Sequence, residues 1–210
     1  MTSSSSSLPH SSPLPLSQQL QLIKELQIFK IQGSDRRGRP LLRIIGKFFP
    51  ARLVSVEAVK KFLEDEIFPD LEGRAFSAVY VHTEVNRGDN FPGISALKSI
   101  YDAVPAKLRD NLDAFYFLHP GIQSRLFLAT FGRLLFGGAG YAKVKYVARL
   151  EFLWEHVRRK GAEMPEFVHD FDDEMEWRPT TVDYGLESDH PAIMPTFDST
   201  VSTYSMRCIA

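Results

Sequence analysis

The sequence predicts an α/β domain: a mixed, mostly parallel sheet flanked by helices. Three observations predict it. Short β-rich runs alternate with helix-length amphipathic segments, as in layered α/β folds. The run AFSAVYVHTE (75–84) has no charge before its last residue, as a strand buried on both faces does. The stretch LQIFKIQGSDRRGRPLLRIIG (26–46) reads as a hairpin about the turn-rich loop 33–38, which adds an antiparallel partner to that sheet.

Taken in order, residues 1–19 (MTSSSSSLPHSSPLPLSQQ) are Ser/Pro-biased and weakly hydrophobic, the composition of a disordered tail. Without Lys or Arg they are neither a secretory signal nor a transit peptide. After the hairpin, SVEAVKKFLEDEIF (55–68) places Val56, Val59, Phe62, Leu63 and Ile67 on one helical stripe, with Ser55 as N-cap. NRGDNFPG (86–93) is a loop, and its Arg87-Gly88-Asp89 is polar loop sequence rather than an adhesion signal. ISALKSIYDAV (94–104) repeats the helical stripe. A strand at 113–118 runs through His119-Pro120 into a helix at 121–136. Strand KVKYVA (143–148) and helix LEFLWEHVRRK (150–160) follow, the helix with a basic end that suits its C-terminal dipole. The folded domain therefore spans 24–177, and 178–210 reads as a disordered acidic tail.

Composition excludes several classes. A net charge of −1 argues against a general nucleic-acid binder, although bases exceed acids between Lys24 and Lys61 and acids dominate from Glu163 to Asp189. A single cysteine, Cys208, leaves no intrachain disulfide and fits a reducing, cytoplasmic setting. Its place third from the end misses the prenylation box. The apolar window 126–141 is broken by Arg133 and falls short of the ~20 residues of a membrane span.

Chemistry-bearing motifs are weak. GRLLFGGAG (132–140) lacks the Gly-Lys-Ser/Thr of a phosphate loop, and its glycines follow a helix, so they read as a helix stop. VHDFDDEMEW (168–177) sets five carboxylates beside His169 but lacks the glycine and oxygen spacing of a calcium loop; it reads as a solvated acidic segment leaving the domain. His82 and Glu84 share a strand face at a strand end, where ligands bind in α/β folds, yet no nucleophile elbow accompanies them. The chain reads as non-enzymatic, with no metal or other cofactor.

One segment stays anomalous. In 121–136, Ile122, Leu126, Phe127, Leu128, Ala129, Phe131, Leu134, Leu135 and Phe136 cover more than one helical stripe. A helix apolar all round is buried on both sides or lies over something apolar. Its neighbours 55–68 and 94–104 are ordinary amphipathic helices, so the odd one points to an apolar cavity with a movable cover.

The ordered set Asp35-x-x-Gly38-Arg39-Pro40, AVYVH (78–82), AFYFLHP (114–120), the apolar helix, KVKYV (143–147) and MPEFV (164–168) resembles the CRAL-TRIO domain. It is most similar to the divergent branch that includes the BCH domains of Rho-pathway signalling proteins. The resemblance implies a phospholipid or other hydrophobic ligand held between the sheet and a gating helix at 121–136. Phe115 and Phe117 on the strand and Leu128, Phe131 and Leu135 on the helix would then contact it. In phosphatidylinositol-transferring members a Glu and a Lys flanking the strand before the gate bind the headgroup; Asp110 and Lys143 fall at those positions, with Asp replacing Glu. It further implies peripheral membrane contact. A second reading stays open: a signalling adaptor with a closed cavity, whose partner is a Rho-type small GTPase or a second copy of the chain.

Overall fold

The computed structural model describes residues 14–177; 1–13 and 178–210, assigned above to tails, lie outside it, as does Cys208. The first helix, α1 (Leu16–Glu25), begins within the stretch read as tail. Gln19 and Ile23 face inward and hold it. The Gln19 side chain donates to the Leu14 carbonyl (2.6 Å) and accepts from the Ser55 N–H (2.7 Å), tying α1 to the next helix. The Ser/Pro bias of the leading residues masks this start in composition.

Strands β1 (Phe29–Ser34) and β2 (Pro40–Ile45) form the expected antiparallel hairpin. Helix α2 (Val56–Phe62) is capped by Ser55, whose hydroxyl accepts from the Ala58 N–H at 3.2 Å. It continues through a π-turn, Leu63–Ile67, into α3 (Phe68–Leu71). Pro69 has no N–H to give there, which loosens the helical ladder. Then come β3 (Phe76–Val81), a single turn α4 (Arg87–Asn90) within the expected loop, α5 (Ile94–Ala103) and α6 (Ala106–Asn111). Strand β4 (Leu112–Leu118), helix α7 (Ile122–Tyr141), β5 (Val144–Val147), α8 (Leu150–Trp154) and α9 (Glu166–Trp177) complete the fold. Strand order is β1-β2-β3-β4-β5, parallel beyond the first pair.

Two departures from the sequence reading shape the back of the sheet. The helix expected over 150–160 stops at Trp154, because the hairpin turn captures the backbone beyond it. Arg36 N–H donates to the His156 carbonyl and Arg158 N–H to the Ser34 carbonyl, with a bridge between Asp35 and Val157. The acidic segment 168–177 does not leave the domain. As α9 it packs Val168 into a core with Leu41, Val79, Val81, Leu118, Leu150 and Leu153. Its acids face out, except for Asp172, which is buried.

The crossover helices cover the opposite, front face. There Leu42, Ala78 and Phe76 pack with Val59, Phe62, Leu63 and Ile67 from α2 and the π-turn. Helix α5 buries no residue fully, and α7 buries only Leu128, Gly132 and Leu135. These two helices stand off the sheet. The gap beneath them is the candidate site.

Candidate functional site

Alternation along the strands sets the floor of this gap. Residues two apart share a sheet face, so Ala78, Tyr80 and His82 from β3 and its end, and Phe115 and Phe117 from β4, point forward. Tyr80, His82 and Phe117 form an aromatic cluster, with His82 at 5.1 Å and Tyr80 at 5.1 Å from the Phe117 ring. The roof is made by Leu128, Leu135 and Phe136 of α7 with Leu97, Ile100 and Tyr101 of α5. Together they enclose about 440 Å³ of overwhelmingly apolar space.

Of the residues expected to meet a ligand, Phe115, Phe117, Leu128 and Leu135 line the cavity. Phe131 is outside the lining and half-buried, its ring 5.3 Å from Phe127, which itself stacks edge-on against Phe91 at 5.6 Å. Lys143 and Asp110 are brought together, but through the backbone. The Lys143 ammonium donates to the carbonyls of Arg109 (2.8 Å) and Asp110 (3.1 Å), capping the end of α6. The Asp110 carboxylate takes no part in that contact and points into solvent, where the residue is exposed.

His82 and Glu84 do not form a pair. Glu84 lies past the strand in a left-handed conformation (φ 52°) and forms an ion pair with Lys47. His82 is left among aromatic rings, and burial pushes its pKa down to about 4, so the ring is neutral. Burial also pushes the Tyr80 hydroxyl up, well out of the range in which it ionises.

The cover has a defined break. Helix α7 is interrupted at Gly137 (φ 67°, ψ 170°), a conformation essentially confined to glycine. The freed Phe136 carbonyl accepts from the Tyr101 hydroxyl at 3.0 Å, latching α7 to α5. Past the break the chain folds back so closely that the Tyr141 ring rests on Gly132, where a side chain would collide. At the other end α7 follows His119, also left-handed (φ 53°). His119 is anchored by Thr83 (2.8 Å) and by Asp172 of α9 (2.9 Å), which also accepts from the Leu150 N–H (2.8 Å).

Sequence reasoning missed the role of α5. Its stripe of Ile94, Leu97, Ile100 and Tyr101 looked like ordinary core and instead faces the cavity. Nothing in the periodicity separates a stripe that meets side chains from one that meets space. Among the described residues no group of His, Cys, Asp and Glu could hold a metal, and no helix is long and apolar enough to cross a membrane.

A family model described as the divergent CRAL/TRIO domain matches residues 38–174. The chain is 29% identical over 140 residues to the Protein GDAP2 homolog of Drosophila melanogaster, covering 67% of this chain and 25% of that protein. It is 31% identical over 141 residues to ganglioside-induced differentiation-associated protein 2 of Xenopus tropicalis (67% of this chain, 28% of that one). The Danio rerio protein of the same name is 30% identical over 142 residues, with 67% and 27% covered. The matched region thus spans about a quarter of these relatives' length.

Proposed function

The chain belongs to the divergent CRAL/TRIO family, and from that premise we propose that it is a non-enzymatic lipid-binding domain that holds a hydrophobic ligand beneath α7. The observation that carries this reading is the cavity of about 440 Å³ between the sheet and the two stand-off helices. Its size lies within the roughly 300–1,000 Å³ of small-molecule sites, and its walls are apolar on every side. Phe115, Phe117, Leu128 and Leu135 make the principal contacts. Helix α7 acts as the gate, turning about Gly137, and loading takes place at a membrane surface. The adaptor reading expects a closed cavity, and the open volume favours the lipid reading over it.

Native mass spectrometry of the full chain, purified without detergent, tests the proposal. The expected result is a lipid adduct on the wild type that is absent from Leu135→Asp, because an uncompensated carboxylate in an apolar cavity costs about several kcal/mol. Circular dichroism checks that the variant is folded. A wild-type chain that neither carries an adduct nor takes up the uncharged dye Nile red would overturn the reading.

A further inference from the structure

We propose that His82 is the polar contact for the ligand, and that the site takes an uncharged lipid whose oxygen accepts a hydrogen bond at the end of β3, beneath the start of α7. This inference rests on the lipid-binding reading and adds to it an orientation and a ligand class.

The argument starts from a polar group left over. Buried polar side-chain atoms are almost always paired. Four buried side-chain atoms among the described residues have no partner: Gln32 Oε1, Arg43 Nε, Arg149 Nε and His82 Nδ1. Only the last belongs to a residue that lines the cavity. Other polar lining groups are already engaged. Asn90 donates to the Lys47 and Phe49 carbonyls, Tyr101 to Phe136, and Ser124 to Gly121.

The ring's chemistry fixes what it can recognise. Held neutral by burial, the imidazole carries one N–H and one bare acceptor nitrogen. A bare acceptor is the cheaper of the two to leave unpaired. The proton therefore sits on Nε2, since Nδ1 is shut away without a partner, and the ring offers a donor. Its complement is a hydroxyl or carbonyl oxygen. A carboxylate fits poorly against a neutral ring in apolar surroundings, where desolvation of the anion is uncompensated.

Position decides the orientation. His82 follows the C-terminal end of β3, and its N–H donates to the Leu118 carbonyl at the corresponding end of β4. Lys143 sits at the opposite edge, and its ammonium is occupied by the α6 carbonyls. The polar end of the ligand thus lies at His82, and its hydrocarbon runs toward Leu71, Phe76 and Leu108. A volume of about 440 Å³ is near the lower end of the usual range and suits one chain or one compact ring system.

The test uses Nile red displacement from the full chain by four probes of equal chain length: dodecanol, methyl laurate, laurate and dodecane. The alcohol and the ester are expected to displace the dye at roughly tenfold lower concentration than the alkane, the worth of one well-buried hydrogen bond. In His82→Phe, which keeps the volume and removes the orphaned nitrogen, the alkane should work as before and the preference should vanish. Lys143→Ala should leave all four curves in place. Long-range ¹⁵N NMR of the imidazole should show the proton on Nε2 and a shift with dodecanol but not with dodecane. Equal displacement by alcohol, ester and alkane overturns the proposal while leaving a lipid-binding cavity, as does a preference that survives His82→Phe. Laurate binding tightest, or a preference lost in Lys143→Ala, overturns it as well. Failure of the wild type to take up Nile red or any probe instead removes the underlying lipid-binding reading.

Discussion

Asp35 is 1% exposed and charged, and the hairpin turn is built around it. One carboxylate oxygen accepts from the N–H groups of Arg37 and Arg39, both at 2.9 Å. The other accepts from Arg39 Nε (2.6 Å) and the Ser77 hydroxyl (2.9 Å), and Arg39 reaches on to Asp113 at 2.7 Å. This gives the Asp-x-x-Gly-Arg-Pro pattern a structural cause: it clasps β1–β2 to β3 and β4. Burial raises the Asp35 pKa, but the hydrogen bonds from Arg39 and Ser77 and the Arg39 charge outweigh it, and the net shift is downward from 3.8. Its contribution is therefore complete above 3.8 and is lost as pH falls through the lower folded value. Asp35→Ala should cost about 3–5 kcal/mol, because it strands a largely buried arginine. Asp35→Asn should flatten the acid limb of a plot of urea midpoint against pH. An unchanged limb would mean the clasp contributes no pH-dependent stability.

At the scale of elements, the back layer depends on a neutral histidine. His119 joins β4 to α7, and burial lowers its pKa more than Asp172 raises it. His82 shifts the same way, to about 4. For both, the unfolded chain binds protons at about 6.5 while the folded chain does not. Stability is thus full above that value and declines as pH falls toward the folded pKa. Melting temperature should drop between about pH 7 and pH 5, with a shallower slope in His82→Phe and a shallower one still when His119→Gln is added. A slope that ignores both substitutions would exclude these histidines as its source. The same junction shows what the sequence made legible. Strands 75–84 and 113–118 and the opening hairpin were readable because their runs are long and sharply bounded. Helix α9 was not, since its carboxylates dominate the composition of 168–177. Its signal was present all the same: Phe167, Val168, Phe171 and Met175 recur at helical spacing, and Asp172 turns inward to meet His119. The partner that gives such a stripe meaning is distant in sequence, so local composition outweighed it.

At the scale of the whole molecule, one side of α7 lies over the cavity and the other meets water. The strand and gate positions of the site were legible from alternation and from the excess of apolar residues in 121–136. The depth of the cavity was not, because it depends on how far α5 and α7 stand off the sheet. Leu126 is 66% and Leu134 64% exposed, with Ile122 at 43% on the same helix. Isolated exposed leucines are ordinary, but large apolar side chains gathered on the cover of an apolar cavity mark an interaction surface. A bilayer interface would bury them, each leucine contributing about 1.5–3 kcal/mol if fully withdrawn from water. Opening about Gly137 would also break the Tyr101–Phe136 latch, so it should become favourable only where that loss is offset. We expect the chain to co-sediment with phosphatidylcholine/phosphatidylserine vesicles, and Leu126→Asp with Leu134→Asp to weaken this at least roughly tenfold while leaving the melting temperature nearly unchanged. Amide exchange over 122–141 should quicken when vesicles are added, while β4 stays protected between its two paired neighbours. A helix that is merely part of the core would exchange at one slow rate with or without vesicles, and that outcome would assign α7 a structural role alone.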